Sequence, residues 1–215
     1  MKNNIKKIIK DIPKNIDILA ASKTRTTDEI LEAKKTGISI FGENYLQEAE
    51  KKYIILDNKI KLHMIGHLQT NKVKKAVQIF DMIQTVDSIK LAKEIDKRCK
   101  EINKTMPILI EINSAEEENK TGCKPKDILI LAQKIEKMKN IRLKGLMTMG
   151  PLNDENTIRT YFRKTKKIFD NLKNKFSDID TLSMGMSDSY KIAIEEGSTM
   201  IRLGTILFGK RNYKL

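Results

Sequence analysis

Tryptophan is absent from this chain of 215 residues, and aromatic residues make up only 5% of it. Proteins that grip single-stranded nucleic acid stack bases on aromatic rings, and such platforms are poorly supplied here. Cysteine and histidine are also scarce, at two residues each. Cys99 and Cys123 form no CxxC pair and neither stands near a histidine, so a zinc site is not suggested and a reduced, cytoplasmic setting is expected. His63 and His67 have the spacing of a helical metal pair, but LHMIGHL reads as a strand with no carboxylate beside it, and no metal is expected. No apolar run approaches the length that spans a bilayer. The opening MKNNIKKIIKDIPKN lacks the long apolar core and cleavage site of a signal peptide. There is no internal repeat, no low-complexity linker, and no GxGxxG after the first predicted strand.

What is present is lysine. The net charge is +14, with 42 basic and 28 acidic residues. Runs such as Lys72-Val73-Lys74-Lys75 and Lys164-Thr165-Lys166-Lys167 read as solvated helix faces, and the charge is dispersed. Nucleic acid is therefore a disfavoured partner. Hydrophobic residues are 40% of the chain, enough for a core, and the length suits one domain over residues 1–215.

Short β-branched runs alternate with helical patterns. The predicted strands are Asp17–Ser22, Ile38–Glu43, Leu62–His67, Met82–Val86, Ile108–Asn113, Arg142–Met147, Thr181–Gly185 and Met200–Leu203. Predicted helices cover Thr27–Lys35, Tyr45–Leu56, Asn71–Phe80, Ser88–Lys100, Lys126–Lys139, Asn156–Lys175 and Asp188–Glu196, with one more at Lys2–Lys10. Strands alternating with helices imply parallel βαβ units. The fold expected is α/β, a single (β/α)8 TIM-type barrel with an extra N-terminal helix; an open doubly wound sheet is the alternative.

In a barrel the site lies where the strands end. LSMGMSDSYKIAIEEGSTMIRLGTILFG, from Leu182 to Gly209, closes two successive strands with small and hydroxyl residues, among them Ser187, Gly204 and Thr205. Backbone N–H groups at such ends approach a ligand closely, and two such turns suggest a phosphate cup. Lys23 closes the apolar run ILAAS, where partial desolvation should lower its pKa and favour attack on an aldehyde; an ordinary strand-end lysine is the alternative. An amine beside a phosphate cup suits pyridoxal 5′-phosphate. Arg202 should point into the barrel, toward the phosphate, the pyridine nitrogen, or a core carboxylate such as Glu43 or Glu111.

The segments AASKTRTTDEILEAKKTGISIFGENYLQE, LHMIGHLQTNKVK, TVDSIKLA, LIEINSAEEENKTGC, LKGLMTMGP and SMGMSDSYKIAIEEGSTMIRLGTILFGKR resemble the pyridoxal phosphate homeostasis proteins, from about Asp17 to Arg211. The resemblance implies one barrel similar to the N-terminal domain of alanine racemase. It also implies a role in intracellular vitamin B6 and amino-acid homeostasis without significant catalysis. Lys23 matches the lysine that forms the Schiff base. Asn44 matches a residue flanking the ring, and His67 a residue at the mouth. Ser187, Gly204 and Thr205 match the phosphate anchors, with Met186 and Ser183 as neighbours. Arg202 matches the arginine facing the ring nitrogen or the phosphate. Arg25-Thr26 stand where the family commonly has lysine and proline, a change that bears on loop stiffness. Racemases add a second base from a C-terminal domain, and the chain ends at Leu215, so that base is expected to be missing. A low-activity racemase is the alternative function. The partners implied are the cofactor and, beyond it, pyridoxal-phosphate-dependent apo-enzymes. The chain is expected to be a monomer.

Overall fold

A computed structural model of the protein describes residues 2–56, 59–117, 120–150 and 154–209. Pro151, Lys210 and Arg211, at the ends of two of the family-like segments, lie outside them.

Eight parallel strands close into a barrel in sequence order: β1 Asp17–Ala21, β2 Ile40–Glu43, β3 Lys61–Met64, β4 Met82–Val86, β5 Met106–Glu111, β6 Ile141–Met147, β7 Thr181–Ser183 and β8 Met200–Leu203. The ring shuts where β8 pairs with β1, Asp17 opposite Met200 and Leu19 opposite Arg202. The expected barrel is therefore the observed one, and the open sheet is excluded.

The helices are α1 Lys2–Lys10, α2 Thr27–Lys34, α3 Leu46–Leu56, α4 Val73–Ile79, α5 Ile89–Glu101, α6 Ile128–Ile135, α7 Glu155–Lys173, α8 Tyr190–Glu195 and α9 Thr205–Phe208. Their starts follow local chemistry. Thr26 caps α2 in a reciprocal box with Glu29, Ser88 accepts from Leu91 N–H, and Asp154 accepts from Thr157 N–H. Helix α9 is not among the predicted helices, because four residues directly after the last strand are too few to show a helical period. Its four residues leave a gap in the outer ring. The N-terminal helix α1 fills it, burying Ile5 and Ile8 and packing on α2 and α9.

Strand alternation sorts the core into two layers. Ala20, Phe41, Leu62, Met64, Ile201 and Leu203 face the helices in the large cluster. Leu19, Ile40, Ile65 and Met200 form a separate small cluster inside the barrel.

Several predicted strands run past the observed ones at the mouth end. β3 stops at Met64, three residues before His67, because Gly66 O accepts from Thr85 Oγ1 at 2.7 Å instead of joining the ladder. β7 stops at Ser183, before Gly185, whose φ of +93° turns the chain. Among the described residues no helix is long and apolar enough to cross a membrane.

Candidate functional site

The barrel interior is not wholly apolar. Arg202 on β8, 3% exposed, donates through Nη1 to Ser183 O and Ser183 Oγ, both at 2.9 Å, and through Nη2 to Thr148 O at 2.8 Å. Ser183 Oγ donates on to Gln84 Oε1 at 2.8 Å, and Gln84 Nε2 reaches His63 Nδ1 at 3.0 Å. Four strands thus share one chain of donors and acceptors. Burial holds the arginine at about 10, below its usual range, so it stays cationic near neutrality. The partners of Arg202 within the protein are main-chain carbonyls, the Ser183 hydroxyl and the Met149 sulfur. Among the described residues it forms no ion pair with Glu43 or Glu111; Glu111 only adds to its field.

His63 is held neutral, its pKa pushed down to about 3 chiefly by burial. An unfolded histidine titrates near 6.5, so between about 6.5 and 3 the unfolded chain binds a proton that the folded one does not. Stability from this group is full above that window and falls as pH drops, by about 1.4 kcal/mol per pH unit inside it. Buried Glu43 and Glu111 have raised pKa values, from desolvation first, and act in the opposite sense. Comparison with His63→Asn isolates the effect. The stability difference between the two proteins, from urea melts, should change by about that slope between pH 6 and 4.

Above this chain the strand ends surround a cavity of about 250 Å³. It is lined by Lys23 and Ala21 after and within β1, Asn44 after β2, Met186 and Ser187 after β7, and Arg202, Gly204 and Thr205 at the end of β8. The structure thus brings together every candidate residue except His67, which is exposed beyond β3 and lies outside that lining. Ser187 Oγ accepts long bonds from Gly204 N–H and Ile206 N–H, at 3.3 and 3.4 Å. Asn44 carries a buried Oδ1 with no partner among the described residues.

The turn that carries Lys23 is held unusually firmly. Thr24 has φ +65°, a left-handed conformation that costs a β-branched L-residue about 1–2 kcal/mol. Its N–H donates to Glu48 Oε1 at 2.5 Å. Arg25, at the departure from the family pattern, bonds Gly209 O at 2.6 Å and lies 5.3 Å over the Phe208 ring, so it ties this turn to α9.

Gly66, at the predicted end of β3, is not among the predicted site residues. A Cβ there would stand 2.1 Å from Asn44 O, so only glycine lets Asn44 occupy its place. Gly66→Ala should cost about 2 kcal/mol in chemical denaturation, because backbone must shift, whereas His67→Ala at the exposed neighbour should stay within about 0.5 kcal/mol.

A small cavity at the C-terminal mouth of a (β/α)8 barrel, walled by an amine, a guanidinium and a hydroxyl, defines a small-ligand barrel. Comparison with known proteins gives the family. The family described as "Alanine racemase, N-terminal domain" matches residues 1–212. A pyridoxal phosphate homeostasis protein of Pasteurella multocida is 39% identical over 204 residues, 92% of this chain and 88% of the relative. PipY of Synechococcus elongatus, solved without PLP, superposes with a TM-score of 0.92 at 30% identity, covering 97% of this chain and 99% of PipY. The same protein with PLP bound gives 0.89. Alanine racemase of Clostridium difficile, at 16% identity and a TM-score of 0.80, is covered over 55% of its length and shows the fold alone. The chain belongs to the pyridoxal phosphate homeostasis protein family.

Proposed function

We propose that the chain is one cofactor-binding domain that holds pyridoxal 5′-phosphate at its barrel mouth, as a Schiff base on Lys23. In this reading it serves vitamin B6 and amino-acid homeostasis as a carrier. The observation that carries it is the single cavity lined by Lys23, Asn44, Ser187, Arg202 and Gly204.

The residues fit the cofactor. Lys23 and Arg202 oppose one lining carboxylate, Asp188, so the cavity favours a phosphorylated anion. The two N–H groups that make only long bonds to Ser187 Oγ are suited to a phosphate oxygen, with the Ser187 hydroxyl beside them. Asn44 has amide capacity to spare, and either end of the amide can meet a ring substituent. We assign Arg202 to the ring. Its Nη1 and Nη2 are engaged by Ser183 and Thr148, which leaves the Nε edge for the cavity.

When bound, the cofactor supplies an aldehyde for Lys23 and a pyridine ring that can accept electrons. A guanidinium against the ring nitrogen keeps that nitrogen unprotonated, because arginine does not yield its proton, and restrains carbanion chemistry. Among the described residues the cavity lining includes one lysine and no tyrosine or histidine, which leaves the Asp188 carboxylate as the candidate for a second base in racemisation. These features, with the naming of the relatives, favour a carrier over a low-rate racemase. In this reading the chain delivers the cofactor to apo-enzymes as a cytoplasmic monomer, and the two free, buried thiols suit a reducing compartment.

Borohydride reduction of the cofactor-loaded protein, followed by peptide mapping, tests the assignment. A stable pyridoxyl group on Lys23 is expected; its presence only elsewhere, or nowhere, refutes the reading. Turnover assays with several amino acids on the unreduced, cofactor-loaded protein should show none above the free cofactor.

A further inference from the structure

We infer that the buried cluster of Lys52, Glu43 and Glu48 is a positioning device for Lys23; the inference rests on the role proposed for that lysine. The main chain on both sides of Lys23 is tied to this cluster. On the N-terminal side, Ser22 O accepts from Lys52 Nζ at 2.7 Å, and Ser22 Oγ donates to Glu43 Oε1 at 2.6 Å. On the C-terminal side, Thr24 N–H donates to Glu48 Oε1. Lys52 joins the two, 2.7 Å from Glu43 Oε1 and 2.6 Å from Glu48 Oε1.

An ammonium has three donors, and here three acceptors take them, so the cluster has one arrangement. The Lys52 side chain is 8% exposed and that of Glu43 not at all. Burying ionised groups is a poor route to stability, because well-packed apolar residues of similar volume usually serve as well or better. The arrangement does something apolar packing does not: it grips carbonyl and N–H groups of the turn. That turn needs a grip, since Thr24 holds a left-handed conformation that a β-branched residue leaves when released. With Ser22 and Thr24 both fixed, the Lys23 stem starts from one place and one direction. Condensation then needs no search: Nζ adds to the aldehyde carbon, water leaves, and C=N replaces C=O.

The test compares two ligands. Pyridoxal 5′-phosphate can condense with an amine; pyridoxine 5′-phosphate has a hydroxymethyl in place of the aldehyde and cannot. Glu48→Ala removes the Thr24 anchor from a partly exposed side chain. It should weaken pyridoxal phosphate about tenfold and leave pyridoxine phosphate within about twofold. The ligand-free melting temperature should stay within about 4 °C. Glu48→Gln, which keeps an acceptor, should restore most of the loss. The pair Lys52→Met with Glu43→Gln strands no buried carboxylate and should repeat the selective loss; if it does not fold, Glu48→Ala alone decides. Equal weakening of both ligands, or of neither, overturns the inference. A wild-type protein that forms no reducible adduct on Lys23 overturns the reading beneath it and the inference with it. The first failure shows in the variants, the second before any variant is made.

Discussion

Lys23→Ala should give a folded protein that forms no reducible adduct at position 23, and whose dissociation constant for pyridoxal phosphate rises by about two orders of magnitude, or about 2.7 kcal/mol. The size follows from what is lost. The proposed covalent link goes, and with it one of the two cationic side chains that line the cavity among the described residues, while Arg202 and the Ser187 hydroxyl remain. The fold should hardly notice, because Lys23 is half-buried in a turn whose conformation is set by Ser22 and Thr24. Urea denaturation of the ligand-free variant should match wild type within about 0.5 kcal/mol. Retention of wild-type affinity together with a full adduct would remove Lys23 from its role.

Arg202→Gln should damage both binding and stability. A glutamine cannot span the carbonyls of Ser183 and Thr148 as the guanidinium does. Buried acceptors left without donors, and the loss of a donor to Ser183 Oγ, should lower stability by about 3 kcal/mol. Cofactor affinity should fall at least tenfold in a spectroscopic titration. Arg202→Lys keeps the charge but not the planar fork, and should lie nearer to glutamine than to wild type. Unchanged affinity in Arg202→Gln, measured where the variant is folded, would sever Arg202 from the ligand.

The architecture was legible because strand and helix periods alternate cleanly, and buried parallel strands are β-branched runs. Strand ends were less so. Whether Ser22, His67 or Gly185 continues a strand depends on bonds made by other strands, such as Thr85 to Gly66, and local pattern does not carry that information. The cavity's residues stood out because small, hydroxyl and cationic residues close apolar runs. His67 stood out for the same reason, but in IGHLQ it is the glycine that shapes the mouth, through the space it leaves beside Asn44. Lys52 and Glu48 escaped notice because a Glu–Lys pair four apart on a lysine-rich helix looks like surface decoration. A signal was there: Lys52 falls in the buried stripe of Leu46, Ala49 and Leu56, where a solvated lysine has no place. Gln84 is similar, a single amide in a short strand, given meaning by Ser183 and His63 from other strands of the barrel.

The cavity straddles the seam where the first and last strands meet. Lys23 leaves the ribosome long before Arg202 and Gly204 do. A ligand clasped by both, as proposed, binds the finished ring far more tightly than an incomplete or opened chain. Occupancy then acts as a latch on closure. At a free ligand concentration a hundred times the dissociation constant, it adds about 2.7 kcal/mol to the closed state over any open one. Loaded chains should therefore resist proteolysis at β1 and β8 first, and a fall in cofactor supply would be felt as a loosening of the barrel at its seam.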